Sequence, residues 1–316
     1  MKFFNKILSS KELVERPPVL IDIGASGQIH KPWENIQKHS ICIAFDADER
    51  EFAFVKEEIG KFKKLLIYNC IVTDTEKGET DFFLTKSPYC SSLLQPDENE
   101  LKDWAFADKF EVEKKVKIKT RSLISVLNEA KIDYIDWFKT DSQGTDLRLF
   151  ASLPEQIRKK VLAAEFEPGI LDSYHGEDKL FRLMEFMGGT IFWMSKIDVK
   201  GTQRISVDLL NKISSNEQIK KFVQSSMNIS PGWAEVMYLN SFKEKFEKRE
   251  HLLGWIFATI SNQFGFALTI ADEGLQQFGD DMFKEMKDKS IQQIKMNVLK
   301  LKFLPAIAEK FKSLIT

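Results

Sequence analysis

VLIDIGASGQIHKPW, residues 19–33, decides the fold. A short apolar run closes on Asp22, and Gly24-Ala25-Ser26-Gly27-Gln28 follows at once. An apolar stretch of this length suits a strand buried on both faces, as in a parallel sheet. Small residues directly after it mark a turn where something approaches the backbone closely.

Four more runs repeat the pattern: ICIAFDAD (41–48), KLLIYNCIV (64–72), YIDWFKTD (134–141) and VLAAEFE (161–167). Helical periodicity lies between several of them. Residues 49–62 bring Phe52, Val55 and Ile59 to one face. Residues 122–132 open on a capping Ser122 and align Leu123, Val126 and Leu127. Residues 176–189 align Leu180, Leu183, Met184 and Met187 and end in glycine. Alternation of this kind predicts an α/β fold with a doubly wound, mostly parallel, Rossmann-like sheet. Residues 79–120 break the rhythm. Val112, Val116 and Ile118 alternate with charges there, which predicts inserted antiparallel strands with one wet face. Beyond about residue 210 the pattern reads as helical, through PGWAEVMYLNSF and on to the end. The expected organisation is a sheet domain over 1–210 and a helical C-terminal extension over 211–316.

Composition narrows the function. With 43% hydrophobic and 29% charged residues, this is an ordinary globular chain. A formal net charge of -1, with no basic tract interleaved with aromatics, argues against nucleic acid as a partner. Cys42, Cys70 and Cys90 form no CxxC pair, so a reducing compartment is expected and zinc is not. No secretory leader or transmembrane stretch is evident, and the expected location is the cytoplasm.

Ligands of doubly wound sheets bind beyond the carboxyl ends of the strands. Asp22, Asp46, Asp141 and Glu165 all fall at such ends. Any one of them could simply cap the next helix; four together beside a glycine loop suggest a site. The loop is not a dinucleotide fingerprint, because Ser26 replaces the second glycine of G-x-G-x-x-G and no third follows. Asp46 lies 22 residues beyond Gly24, the spacing of a carboxylate that binds ribose hydroxyls. An adenosine ligand without a phosphate cradle fits both facts, and S-adenosylmethionine is one.

At these residues the chain resembles a known family. VLIDIGASGQ, IAFDADE, Ser91-Ser92-Leu93, KIKTRSLISVL, FKTDSQGTDLRLF and AAEFEPGILDSYHGEDKLF follow in the order of FkbM-type methyltransferases. The resemblance spans roughly residues 17–195. These are class I, S-adenosylmethionine-dependent enzymes that mostly methylate hydroxyls of sugars and related natural products. FKTDSQGTDLRLF looks like the family's K-x-D-x-E-G-x-E-x-x-x-L block: Lys139, Asp141 and Gly144 match, Gln143 replaces the commoner glutamate, and Asp146 replaces the next one. The resemblance implies that Asp22, Gly24, Ala25, Ser26 and Gly27 hold the methionine end. It likewise assigns the ribose to Asp46 with Ala47, the adenine rim to Cys70 and Ile71, and a place against the cofactor to Asp141.

The implied reaction is in-line methyl transfer to a sugar or glycan acceptor, helped by a general base. Asp141, Lys139 and His175 are the catalytic candidates, with His30 a further base. The sequence leaves open whether a divalent metal assists and how many subunits associate. A nicotinamide-dependent oxidoreductase and a catalytically silent binding module are the competing readings. The last stretch, from Lys289, carries six lysines and one glutamate, with Ile291, Ile294, Val298 and Leu301 on one face and Pro305 expected to break or kink the helix. A basic amphipathic helix can lie on the inner membrane surface; docking on its own domain is the plainer expectation.

Overall fold

A computed structural model of the chain describes residues 2–25, 29–50 and 60–315, with side chains of the last helix described as far as residue 298. Contacts divide it into two compact units, Pro17–Ser241 and Met1–Arg16 together with Phe242–Thr316.

The larger unit holds a seven-stranded sheet in the order β3-β2-β1-β7-β8-β10-β9. Its strands are β1 (Val19–Ile23), β2 (Ile41–Phe45), β3 (Lys64–Tyr68), β7 (Trp137–Thr140), β8 (Ala163–Phe166), β9 (Phe192–Thr202) and β10 (Ser230–Asn240). The first five in sequence are mutually parallel. β10 runs antiparallel to both β8 and β9. The order reverses between β1 and β7, which makes the crevice beyond their carboxyl ends the switch point. The apolar runs form strands because both faces are covered. Trp137 packs edge-on to Trp33, centroids 5.9 Å apart, while Phe138 turns to the opposite face and meets Phe150 at 5.2 Å.

The inserted segment forms a separate three-stranded sheet of β4 (Ile71–Thr73), β6 (Val112–Ser122) and β5 (Glu79–Thr85). β5 and β6 are antiparallel, as the alternation predicts. Ser122 caps the helix Leu123–Ala130 by accepting from the Ser125 N–H at 3.1 Å. The helix Leu180–Gly188 buries Leu183 and Met187, whereas Met184 is exposed and does not join that face. The helix expected over 49–62 falls largely outside the described residues.

Two expectations change. PGWAEVMYLN is strand β10, not helix; its backbone is satisfied by β8 on one side and β9 on the other. The compact units divide after Ser241, not near residue 210, because β10 belongs to the sheet.

The smaller unit is helical: Lys2–Leu8, Lys11–Glu15, Lys248–Ile260, Phe264–Phe278 and Asp281–Ile315. The last helix continues through Pro305. Its buried seam is Phe283, Met286 and Ser290, and Trp255 Nε1 donates to Ser290 Oγ at 2.9 Å. Ile291 and Ile294 are half-buried and Val298 is exposed. Leu301 lies outside the described side chains. Among the described residues, no helix is long and apolar enough to cross a membrane.

Candidate functional site

Two cavities open at the carboxyl end of the parallel strands, and they share Asp141, Gln143 and Tyr89. The first follows β1 and β2. Gly24, Phe45, Asp46, Ala47, Cys70 and Ile71 line it. The second, of about 330 Å³, lies past β7 and β8. Phe106, Phe110, Tyr174 and Trp233 wall it with aromatic rings, and Glu167 and Glu177 add carboxyls.

The loop after β1 is held from inside. Gly24 N and Ala25 N both donate to Phe45 O at 3.0 Å, extending the β1–β2 ladder. Gly24 has φ +77°, and a Cβ there would stand 2.1 Å from the carbonyl oxygen of Asp141. The close approach that demands a glycine is therefore the chain's own β7 loop. Asp22 is fully buried and faces Lys139, Nζ to Oδ1 2.9 Å; its other oxygen accepts from His30 N at 3.1 Å. Lys139 also donates to Gly24 O at 3.1 Å. Burial opposes the lysine's charge, but Asp22 and Asp141 outweigh it and raise its pKa. Lys139 thus ties β7 to the β1 turn. Ser26 and Gly27, expected at the methionine end, lie outside the described residues.

The loop after β7 faces outward. Gln143, at φ +55°, donates from Nε2 to Asp141 Oδ1 at 2.5 Å, and its Oε1 lies 3.0 Å from the Tyr174 hydroxyl. Ser92 Oγ donates to Gln143 O at 2.7 Å. Gly144 has φ +106° and no room for a side chain, because a Cβ would meet Glu177 and Leu94. Asp146 gathers the loop by accepting from Thr140 Oγ1, Ser142 N and, at 2.7 Å, Glu167 N. Burial pushes its carboxyl up to about 6 despite those donors. Burial also raises the Asp141 carboxyl; Lys139 and Gln143 counter the shift, and Asp22 and Asp46 reinforce it.

Asp46 follows β2 directly, and its Oδ1 accepts from Asp48 N at 2.8 Å. Asp48 is buried against Arg50, Oδ2 to Nη2 2.6 Å, and Arg50 reaches on to Thr85 O and Ser91 Oγ. Burial lifts the Asp48 carboxyl, and Arg50 more than reverses the effect. This strut fixes the outer wall of the first cavity. Cys70, on that wall, has its thiol pushed up to about 11 by burial and is a packing residue.

Compared with models of protein families, with curated proteins and with solved structures, the chain matches none. The site's own geometry is what distinguishes its residues.

That geometry sorts the four strand-end acids. Asp46 and Asp141 face cavities, whereas Asp22 and Glu165 are used up within the protein. Glu165 accepts from Trp137 Nε1 at 2.6 Å and faces His30 Nε2 at 2.9 Å, which fixes His30 as well. His175 does not join the site. It lines neither cavity, its side chain is 57% exposed, and its Nδ1 lies 3.0 Å from Asp97. The residue that sequence reasoning passed over is Glu167. It sits one place beyond β8 and lines the second cavity. The signal in the sequence was a second acid in AEFEPG, just before the proline that ends the strand. Burial, with Asp141 and Asp146 nearby, pushes it up to about 9. Among the described residues, no cluster of three or more His, Cys, Asp or Glu could hold a metal ion.

Proposed function

We propose that the protein is an S-adenosylmethionine-dependent methyltransferase of the FkbM type that methylates a hydroxyl of a sugar, glycan or related small molecule. The observation that carries this reading is the meeting of two unlike cavities at Asp141 and Gln143. A two-substrate transfer needs a donor pocket and an acceptor pocket that touch at the reacting atoms. The first cavity offers features that suit an adenosyl cofactor: a strand-end carboxylate for ribose hydroxyls and an apolar wall from Phe45, Cys70, Ile71 and Val72. The sheet weighs in the same direction. It follows the dinucleotide-binding order through five strands and departs in the sixth place, where β10 is antiparallel.

When bound, the cofactor supplies a methyl group activated on a cationic sulfur. The chain's part is alignment and proton handling. Asp46 would accept from the ribose hydroxyls. Asp141, at the junction, would place negative charge near the sulfonium and take the proton of the acceptor hydroxyl. Lys139 positions rather than reacts, since Asp22 and Gly24 occupy it. Gln143 steadies Asp141 without adding charge.

Calorimetry with S-adenosylhomocysteine and with NAD tests the reading. Binding of the former is expected, and Asp46→Ala should weaken it tenfold or more, in line with the ~1.5–3 kcal/mol of a lost charge-assisted bond. Micromolar NAD binding without adenosylhomocysteine binding, or an unaltered Asp46→Ala, refutes it. Transfer of labelled methyl into a glycan fraction would then identify the acceptor.

A further inference from the structure

We infer that the second cavity is built for an acceptor that carries a protonated amino group, seated between the Glu167 carboxylate and the rings of Trp233, Phe106 and Tyr174. This rests on the reading above only in naming that cavity the acceptor side.

The first observation is an unanswered carboxylate. Among the described residues, the Glu167 side chain has no hydrogen bond and no ion pair; only its backbone N–H is engaged, by Asp146. The other acids around it all have partners. Asp141 receives Gln143. Glu177 faces Lys179 at 2.6 Å and accepts from Ser173 N. Glu165 holds Trp137. The neighbouring cations are committed elsewhere, Lys139 to Asp22 and Lys200 to Asp198. Lys109 also lines the cavity and makes no ion pair with Glu167.

The second observation is the aromatic lining. Phe106 and Trp233 lie tilted with centroids 6.3 Å apart, and Phe110 meets Tyr174 edge-on at 5.5 Å. Trp233 projects from β10, and Phe106 and Phe110 come from the segment between β5 and β6. Elements distant in sequence thus bring π-faces to one space. A ring face attracts a cation, and more strongly once water is excluded. A neutral sugar would use that wall by stacking but would leave Glu167 with a hydroxyl at best. An ammonium group satisfies the acid and the rings of that one cavity together. Without a ligand the Glu167 carboxyl keeps its proton; an ammonium pairs with the ionised form and displaces that proton to solvent, which an uncharged ligand cannot do.

The test uses the full chain and three matched probes: methyl glucosaminide, its N-acetyl derivative and methyl glucoside. Each is titrated at neutral pH with tryptophan fluorescence as the readout. The amino ligand is expected to bind at least tenfold tighter than either neutral one. Glu167→Gln should erase that preference while keeping weak binding of all three, and Trp233→Leu should weaken all three together. Equal affinities in the unmodified protein, a preference that survives Glu167→Gln, or no binding by any probe up to its solubility limit would each overturn the proposal. Adenosylhomocysteine binding, measured on the same samples, reports the first cavity. Its persistence beside a failed amine preference sinks this inference alone; its absence sinks the methyltransferase reading instead.

Discussion

The loops that leave β1 and β7 stand side by side at the switch point, and they spend their polar groups in opposite ways. After β1, Asp22 is enclosed by Lys139 and the His30 amide, and Gly24 makes room for the neighbouring carbonyl. After β7, Asp141 and Gln143 face both cavities while Asp146 gathers the turn behind them. An acid at a strand end is thus no sign of a ligand until its partners are counted. The first loop is a foundation, and the second is a cavity wall.

The sharpest way to break this contrast is Lys139→Met. It strands Asp22 without its cation in a fully buried place, and a loss of about 3–5 kcal/mol is expected in urea unfolding. Adding Asp22→Asn should recover part of it. A loss well under 1 kcal/mol would show the pair to be solvated and the first loop no foundation. Gly24→Ala comes next: a methyl against the Asp141 carbonyl, at positive φ, should cost about 2–3 kcal/mol by the same assay. The last effect has the opposite sign. Glu167 is held up to about 9, against roughly 4.3 in an unfolded chain. The native state therefore keeps a proton that the unfolded state releases. The stability this gives is whole below pH ~4.3 and drains away as pH rises toward about 9. Glu167→Gln does not titrate, so it should gain on the unmodified protein across that window, and by more at pH 8 than at pH 5. A pH-independent difference between the two would place the Glu167 carboxyl in solvent.

The same distinction explains what the sequence disclosed. VLIDI and ICIAF were legible as parallel strands because residues on both faces are apolar, a local property. Asp46 and Asp141 were legible because position after such a strand is also local. β10 was not: Ala234, Glu235 and Met237 suit a helix, and only pairing with β8 and β9 makes PGWAEVMYLN a strand. Nor was the grouping of the first sixteen residues with the last helices, which rests on contacts across the whole chain, such as Lys248 with Glu12 at 2.7 Å. Glu167 and His175 exchanged places for a similar reason. Both follow β8 in sequence, but the turn at Pro168 and the Asp97 pairing direct one inward and the other to solvent.

Tyr174 has one further consequence. Its hydroxyl owns a single hydrogen and lies within reach of two takers, Gln143 Oε1 at 3.0 Å and the Cys90 carbonyl at 2.8 Å. Only one can be served at a time. The hydroxyl on the wall of the second cavity is accordingly a rotor with two settings. Another donor on the Cys90 carbonyl would free that hydrogen for Gln143, whose amide holds Asp141 where the two cavities meet.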